Sequence, residues 1–281
     1  MKILVIGSRG MLGTDLLRLC SEYHEVKGVD IEEVDITDPQ SVREGILSWA
    51  PTVVINAAAY TDVDGSESNP GAAFKVNADG AAYVARACRE CSAMLFHVST
   101  DYVFDGSSPI PYREEDSACP LGVYGRSKWE GEKRALEELP WVCIVRTAWL
   151  YGKAGKNFVK AILRQTEEKR EIKIVSDQKG SPTYTKDLAE ALLVMIERGL
   201  HGIYHVTNSG FCSWYDFAKR ILEITGKLHI TVKPIATAEL DRPARRPDYS
   251  VMDCSKLMRD TGLTLRHWAV ALEEYLLSDR P

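Results

Sequence analysis

Lys2-Ile3-Leu4-Val5-Ile6-Gly7-Ser8-Arg9-Gly10-Met11-Leu12-Gly13 is the stretch whose reading decides the fold. The apolar run over 2–6 suits a short buried strand, and the glycines at 7, 10 and 13 suit a tight turn into a helix. Glycines there let the backbone turn sharply, approach a pyrophosphate closely and pack the helix on the sheet, while the free N–H groups of the helix start face the phosphates. The spacing is G-x-x-G-x-x-G, wider than the G-x-G-x-x-G form. Val26-Lys27-Gly28-Val29-Asp30 reads as a second strand ending in a carboxylate. Asp30 lies twenty residues after Gly10, where a dinucleotide fold places the acid that holds the adenosine ribose hydroxyls.

Outward from this unit, strand-like runs alternate with helical ones. Val53 to Asn56 precedes a helix from Ala72, Met94 to Ser99 a helix from about Tyr124, and Val142 to Thr147 a helix from Phe158. The alternation predicts an α/β protein with a Rossmann-type doubly wound parallel sheet. Right-handed crossovers put the carboxyl ends of such strands on one edge, where ligands bind. Beyond about residue 150 the pattern loosens into short strands at 172–175 and 203–206 and helices near 186–197 and 214–225. Residues 1–150 are expected to form the dinucleotide-binding core, with later segments completing the sheet. Residues 151–281 are expected to build mainly a smaller C-terminal substrate lobe, interleaved with the core.

The 281 residues carry a net charge of -5, which offers no basic field for nucleic acid or anionic lipid. The apolar start is too short for a signal peptide core, and no eighteen-residue apolar run follows, so a cytoplasmic location is expected. Seven cysteines argue for reduced thiols. Cys88 and Cys91 form a C-x-x-C late in a helical run without a second ligand pair, and His201 and His205 flank a strand without partners. No metal site is assigned.

Tyr124-Gly125-Arg126-Ser127-Lys128 places a phenol and an ammonium four residues apart at a helix start, so both share one face. A free tyrosine titrates near pH 10, and Lys128 is expected to lower that value by stabilising the phenolate. Ser99-Thr100-Asp101-Tyr102-Val103-Phe104 ends the preceding strand, offering the Thr100 hydroxyl to a substrate carbonyl. Asn56-Ala57-Ala58-Ala59-Tyr60-Thr61 ends another, its small side chains letting a flat cofactor pass near the backbone.

In this order these motifs resemble the extended short-chain dehydrogenase/reductase superfamily. Asn56 to Asp64, Val145 to Tyr151, Asn157-Phe158, Asp177 to Thr183 and Pro243-Ala244-Arg245-Arg246-Pro247 narrow the resemblance to the dTDP-4-dehydrorhamnose reductase family, over essentially the whole chain. That resemblance implies reduction of the C4 ketone of dTDP-4-dehydro-β-L-rhamnose, with Thr100, Tyr124 and Lys128 catalytic. It places the dinucleotide on Gly7, Gly10, Met11, Leu12, Gly13, Asp30, Asp35, Ile36, Ala59, Tyr60 and Thr61, with Tyr124 and Lys128. It gives Asp101 and Trp149 to the sugar and one of Arg245 and Arg246 to the pyrophosphate. The family uses NADH and NADPH; Asp30 repels a 2′-phosphate while Arg9 attracts one, so both stay open. Some members form a magnesium-bridged dimer through glutamates. Asp15 and Lys186 stand at two matching positions, and a lysine cannot ligate the ion, which puts that dimer in doubt and leaves a homodimer possible. The alternatives are another nucleotide-sugar reductase or epimerase, or a non-catalytic regulatory subunit like that of methionine adenosyltransferase.

Overall fold

The computed structural model describes residues 1–278. Five parallel strands, β1 (Lys2–Ile6), β2 (Glu25–Val29), β3 (Val53–Asn56), β4 (Met94–Thr100) and β5 (Cys143–Thr147), are joined by a sixth at Gly202–His205. Their order across the sheet is β2, β1, β3, β4, β5 and then Gly202–His205. The direction of winding reverses between β1 and β3, which opens a crevice above their carboxyl ends. Ile6 pairs with Val29 on one side and Asn56 on the other, so Gly7, Asp30 and Ala57 leave the sheet at one level.

Both faces are covered, as the unbroken apolar run of β1 requires. Ile3 and Val5 point into a core with Leu16, Leu188 and Leu192, from helices Met11–Cys20 and Thr185–Glu197. Leu4 and Ile6 point the other way, against Ile46, Val84 and Ala135 of helices Pro39–Leu47, Gly80–Glu90 and Val123–Glu138. Local chemistry sets where helices begin. Asp38 accepts from the Gln40 N–H ahead of Pro39, and Ser213 and Asp216 form a reciprocal capping box at Trp214–Ile224.

The run expected to be one helix from Ala72 starts at Pro70 and passes through a π-wound turn at Lys75–Asp79 before Gly80–Glu90. The inserted turn aims Asn77 inward. Its carboxamide accepts from the Tyr60 N–H at 2.8 Å and donates to Tyr60 O at 3.1 Å and to Ser127 Oγ at 2.9 Å. One side chain thereby ties the loop after β3 to helix Val123–Glu138, and single π turns inside α-helices are frequent at functional sites.

A third core, around Tyr151, Ile162, Ile172, Phe217, Ile221 and Leu272, builds a smaller lobe. There Glu171–Val175 pairs in parallel with Thr231–Ile235, beside helices Phe158–Glu168, Trp214–Ile224 and Trp268–Leu277. A charged clasp joins this lobe to the main sheet. Lys186 meets Glu274 at 2.6 Å, Arg266 meets Asp187 at 2.7 Å and also Glu274, and Asn208 donates to Asp187 at 2.6 Å. No helix among the described residues is long and apolar enough to cross a membrane.

Candidate active site

A cavity of about 1090 Å³ lies over the carboxyl ends of β1, β3, β4 and β5, bordered by both parts of the chain. At its sheet-reversal end, Gly7 has φ +80°, a conformation that favours glycine, and a Cβ there would lie 2.7 Å from Ala58 N. Gly10 precedes helix Met11–Cys20 without a capping side chain, which leaves the first-turn N–H groups for a ligand. Gly13 stands behind this turn and not on the cavity wall, since its Cβ would meet Gly7 O at 2.2 Å. Gly7, Gly10, Met11, Leu12, Asp30, Asp35, Ile36, Ala59, Tyr60 and Thr61 all border the cavity. Asp30 Oδ2 accepts from the Arg9 N–H at 3.0 Å, and the Arg9 guanidinium bridges Glu32 at 2.7 Å and Glu33 at 2.6 Å. The Thr37 N–H and hydroxyl, both 2.8 Å from Asp35 Oδ1, hold that carboxyl below its usual range. An uncapped helix start, a close-approach glycine turn and an acid at the end of β2 fit a dinucleotide.

Thr100, Asp101, Tyr124 and Lys128 meet at the middle of the same cavity. The Thr100 hydroxyl donates to Asp101 Oδ1 at 3.1 Å and accepts from the Tyr102 N–H at 3.2 Å. Burial pushes the Tyr124 phenol up to about 12, against a hydrogen bond with Thr100 that pulls it down, and the Asp101 charge adds to the rise. The expected lowering by Lys128 is therefore not found in the protein alone. Its ammonium donates instead to Val98 O at 2.6 Å, and burial pulls it down to about 8, with Glu132 one turn on acting to raise it. Asp101 is pushed up to about 6, first by burial.

Beneath this group lies a charged pair that the sequence reading missed. Glu132 and Arg146 are 2% and 3% exposed and meet at 2.7 Å, with Ser99 also donating to Glu132. The signal was an arginine inside the apolar run from Val142 to Thr147, and a glutamate four residues after Lys128. Asn77 was missed too, although it stands midway between Ala73 and Ala81, both buried.

Trp149 lines the far end of the cavity in a left-handed conformation, φ +48°, stacked on Trp214 with ring centroids 3.5 Å apart and planes at 5°. Gly180 admits the indole, because a Cβ there would lie 2.5 Å from it. Trp214 and Phe158 complete this aromatic wall. The two arginines stand apart from the lining. Arg246 is drawn to Asp64 at 2.8 Å and is mostly buried, whereas Arg245 is exposed. Asp15 accepts from the Thr185 hydroxyl at 2.6 Å, Lys186 is engaged by Glu274, and no group of three or more metal-ligating side chains occurs among the described residues.

A doubly wound sheet, a glycine turn at its reversal point and a Tyr124/Lys128 pair over the same crevice define a dinucleotide-dependent oxidoreductase of the extended short-chain type. The sequence family described as "RmlD substrate binding domain" matches residues 1–280. A dTDP-4-dehydrorhamnose reductase of Mycobacterium tuberculosis is 43% identical over 96% of this chain and 91% of its own length. The Bacillus subtilis spore coat polysaccharide biosynthesis protein SpsK is 42% identical, over 98% and 96%. The crystal structure of dTDP-4-dehydrorhamnose reductase from Bacillus anthracis in complex with NADP superposes with a TM-score of 0.95 at 38% identity, covering 99% of each chain. The chain belongs to the dTDP-4-dehydrorhamnose reductase family.

Proposed function

We propose that this protein is an NAD(P)H-dependent reductase that converts the C4 ketone of dTDP-4-dehydro-β-L-rhamnose to the alcohol of dTDP-β-L-rhamnose. The observation that carries the reading is one continuous cavity, with the glycine turn at one end, the Trp149/Trp214 wall at the other, and Thr100, Tyr124 and Lys128 between them. The reduced dinucleotide supplies the hydride. Tyr124, protonated at neutral pH, gives its proton to the sugar oxygen as negative charge builds there. The Thr100 hydroxyl donates to the same oxygen, and this stabilisation grows as charge develops. Lys128 holds its positive charge beneath the site and orders the nicotinamide ribose. Asp101 meets the sugar, Trp149 offers its apolar face to the hexose ring, and one of Arg245 and Arg246 meets the pyrophosphate. We infer a cytoplasmic setting, supported by seven free cysteines.

The test is oxidation of NADH or NADPH in the presence of dTDP-4-dehydrorhamnose, with the product identified. Formation of dTDP-L-rhamnose is expected. Dinucleotide binding without that turnover would hand the site to another nucleotide-sugar ketone or to the regulatory reading.

A further inference from the structure

We propose that this chain selects NADH over NADPH, and that Glu32 and Glu33 make the selection by engaging Arg9. The proposal rests on the dinucleotide reading above and names the residues that decide between two cofactors of the same shape. The two differ by a phosphate on the 2′ oxygen of the adenosine ribose, the group that Asp30 would face. Such a phosphate carries between one and two negative charges at neutral pH, so its binding needs a cation free to turn to it.

Arg9 is the cation beside Asp30. Among the described residues lining the cavity, the other cations are Lys128, which lies under Tyr124, and Lys156, which borders the far end near Phe158. Lys75 acts on Asp35. Arg9 is already committed, with Nη1 on Glu32 at 2.7 Å, Nη2 on Glu33 at 2.6 Å and its backbone N–H on Asp30 at 3.0 Å. The second oxygen of Glu33 accepts from the Asp30 N–H at 2.9 Å, which closes the loop on itself. Two carboxylates therefore hold one guanidinium, and a third, that of Asp30, takes the backbone N–H of the same residue. A 2′-phosphate that drew Arg9 away would leave two glutamates uncompensated beside it, and one that did not would meet Asp30 without a counter-charge. Each exposed ion pair is weak by itself, but exposure lets the glutamates move without removing their charge. A ribose hydroxyl makes no such demand, because it donates to Asp30 and adds no charge.

Binding of NADH and of NADPH is measured by calorimetry on the whole protein, without sugar substrate and at low salt, and the ratio of kcat/KM is measured beside it. NADH is expected to bind about tenfold more tightly, a difference of about 1.4 kcal/mol. In Glu32→Gln/Glu33→Gln the ratio is expected to fall to about one or to reverse, since Arg9 is released toward the phosphate. Equal or tighter NADPH binding by the unaltered protein overturns the proposal and leaves the reductase reading standing. A preference for NADH that persists undiminished in the double variant assigns it to Asp30 and overturns the role of the glutamates. Binding of neither dinucleotide overturns the proposal together with the reading beneath it.

Discussion

Tyr124 has two opposing demands on one oxygen. Burial keeps its phenol protonated to about pH 12, while the proton transfer proposed for it asks for a good donor. Replacing it by phenylalanine removes the donor and little else, so Tyr124→Phe should still bind the dinucleotide while kcat falls by about 100-fold or more. Steady-state kinetics beside a binding titration check this, and near-normal turnover would remove Tyr124 from the mechanism. That Tyr124, Lys128 and Thr100 come to one cavity was legible because their spacing and their places at strand and helix ends survive in one dimension. The direction of the Lys128 ammonium was not, since Val98 O, its partner at 2.6 Å, lies thirty positions away in the chain and is brought near only by packing.

Helix Val123–Glu138 sets Tyr124, Lys128 and Glu132 at four-residue intervals along one face. It is pressed close by two glycines. A Cβ at Gly125 would lie 2.2 Å from Tyr102 O, and one at Gly131 would lie 2.0 Å from Asn77 O. The carboxylate at the third position opposes the effect of burial on Lys128, which stands at about 8. A lysine lowered by burial is charged below its folded value and loses that charge as pH rises through it. Glu132→Gln removes the opposing charge and leaves Arg146 positive nearby, so the alkaline fall in kcat/KM, expected near pH 8 in the unaltered protein, should move to lower pH. The same change leaves a buried guanidinium unpaired and should cost about 3–5 kcal/mol of stability, read by denaturant unfolding. An unmoved pH profile alongside lost stability would make the pair structural only. At this scale the sequence revealed helices by their apolar period but concealed the π turn at Lys75–Asp79, because a single extra residue per turn is set by the contacts of Asn77 and not by any local propensity.

Across the whole molecule, the parallel sheet and its binding edge followed from the alternation of short apolar runs with helices. The sheet's final strand, Gly202–His205, was not assigned an edge by that pattern, because pairing with β5 is a long-range event that joins residues about sixty positions apart. Nor did the pattern show the clasp of Lys186, Arg266, Asp187 and Glu274 between the sheet and the smaller lobe. Hydrogen bonds from Arg266 and Lys186 draw the Glu274 carboxyl down from 4.5 to about 2. A depressed carboxylate stabilises the fold above its unfolded value and loses that contribution as pH falls through the folded one. Glu274→Gln should therefore lower stability at pH 7 by on the order of 1 kcal/mol, allowing for solvent screening, and the gap from the unaltered protein should close as pH falls from 4.5 toward 2. Thermal melts across that range check it, and a gap independent of pH would place the loss elsewhere. The Trp149/Trp214 stack has a consequence of another kind. Two indoles 3.5 Å apart with nearly parallel planes are placed to couple their excited states, so the wall at the far end of the cavity should carry a near-ultraviolet dichroism of its own. A molecule that slides against one ring and tilts it changes that optical signature, which makes the pocket a reporter of its own filling without any added dye.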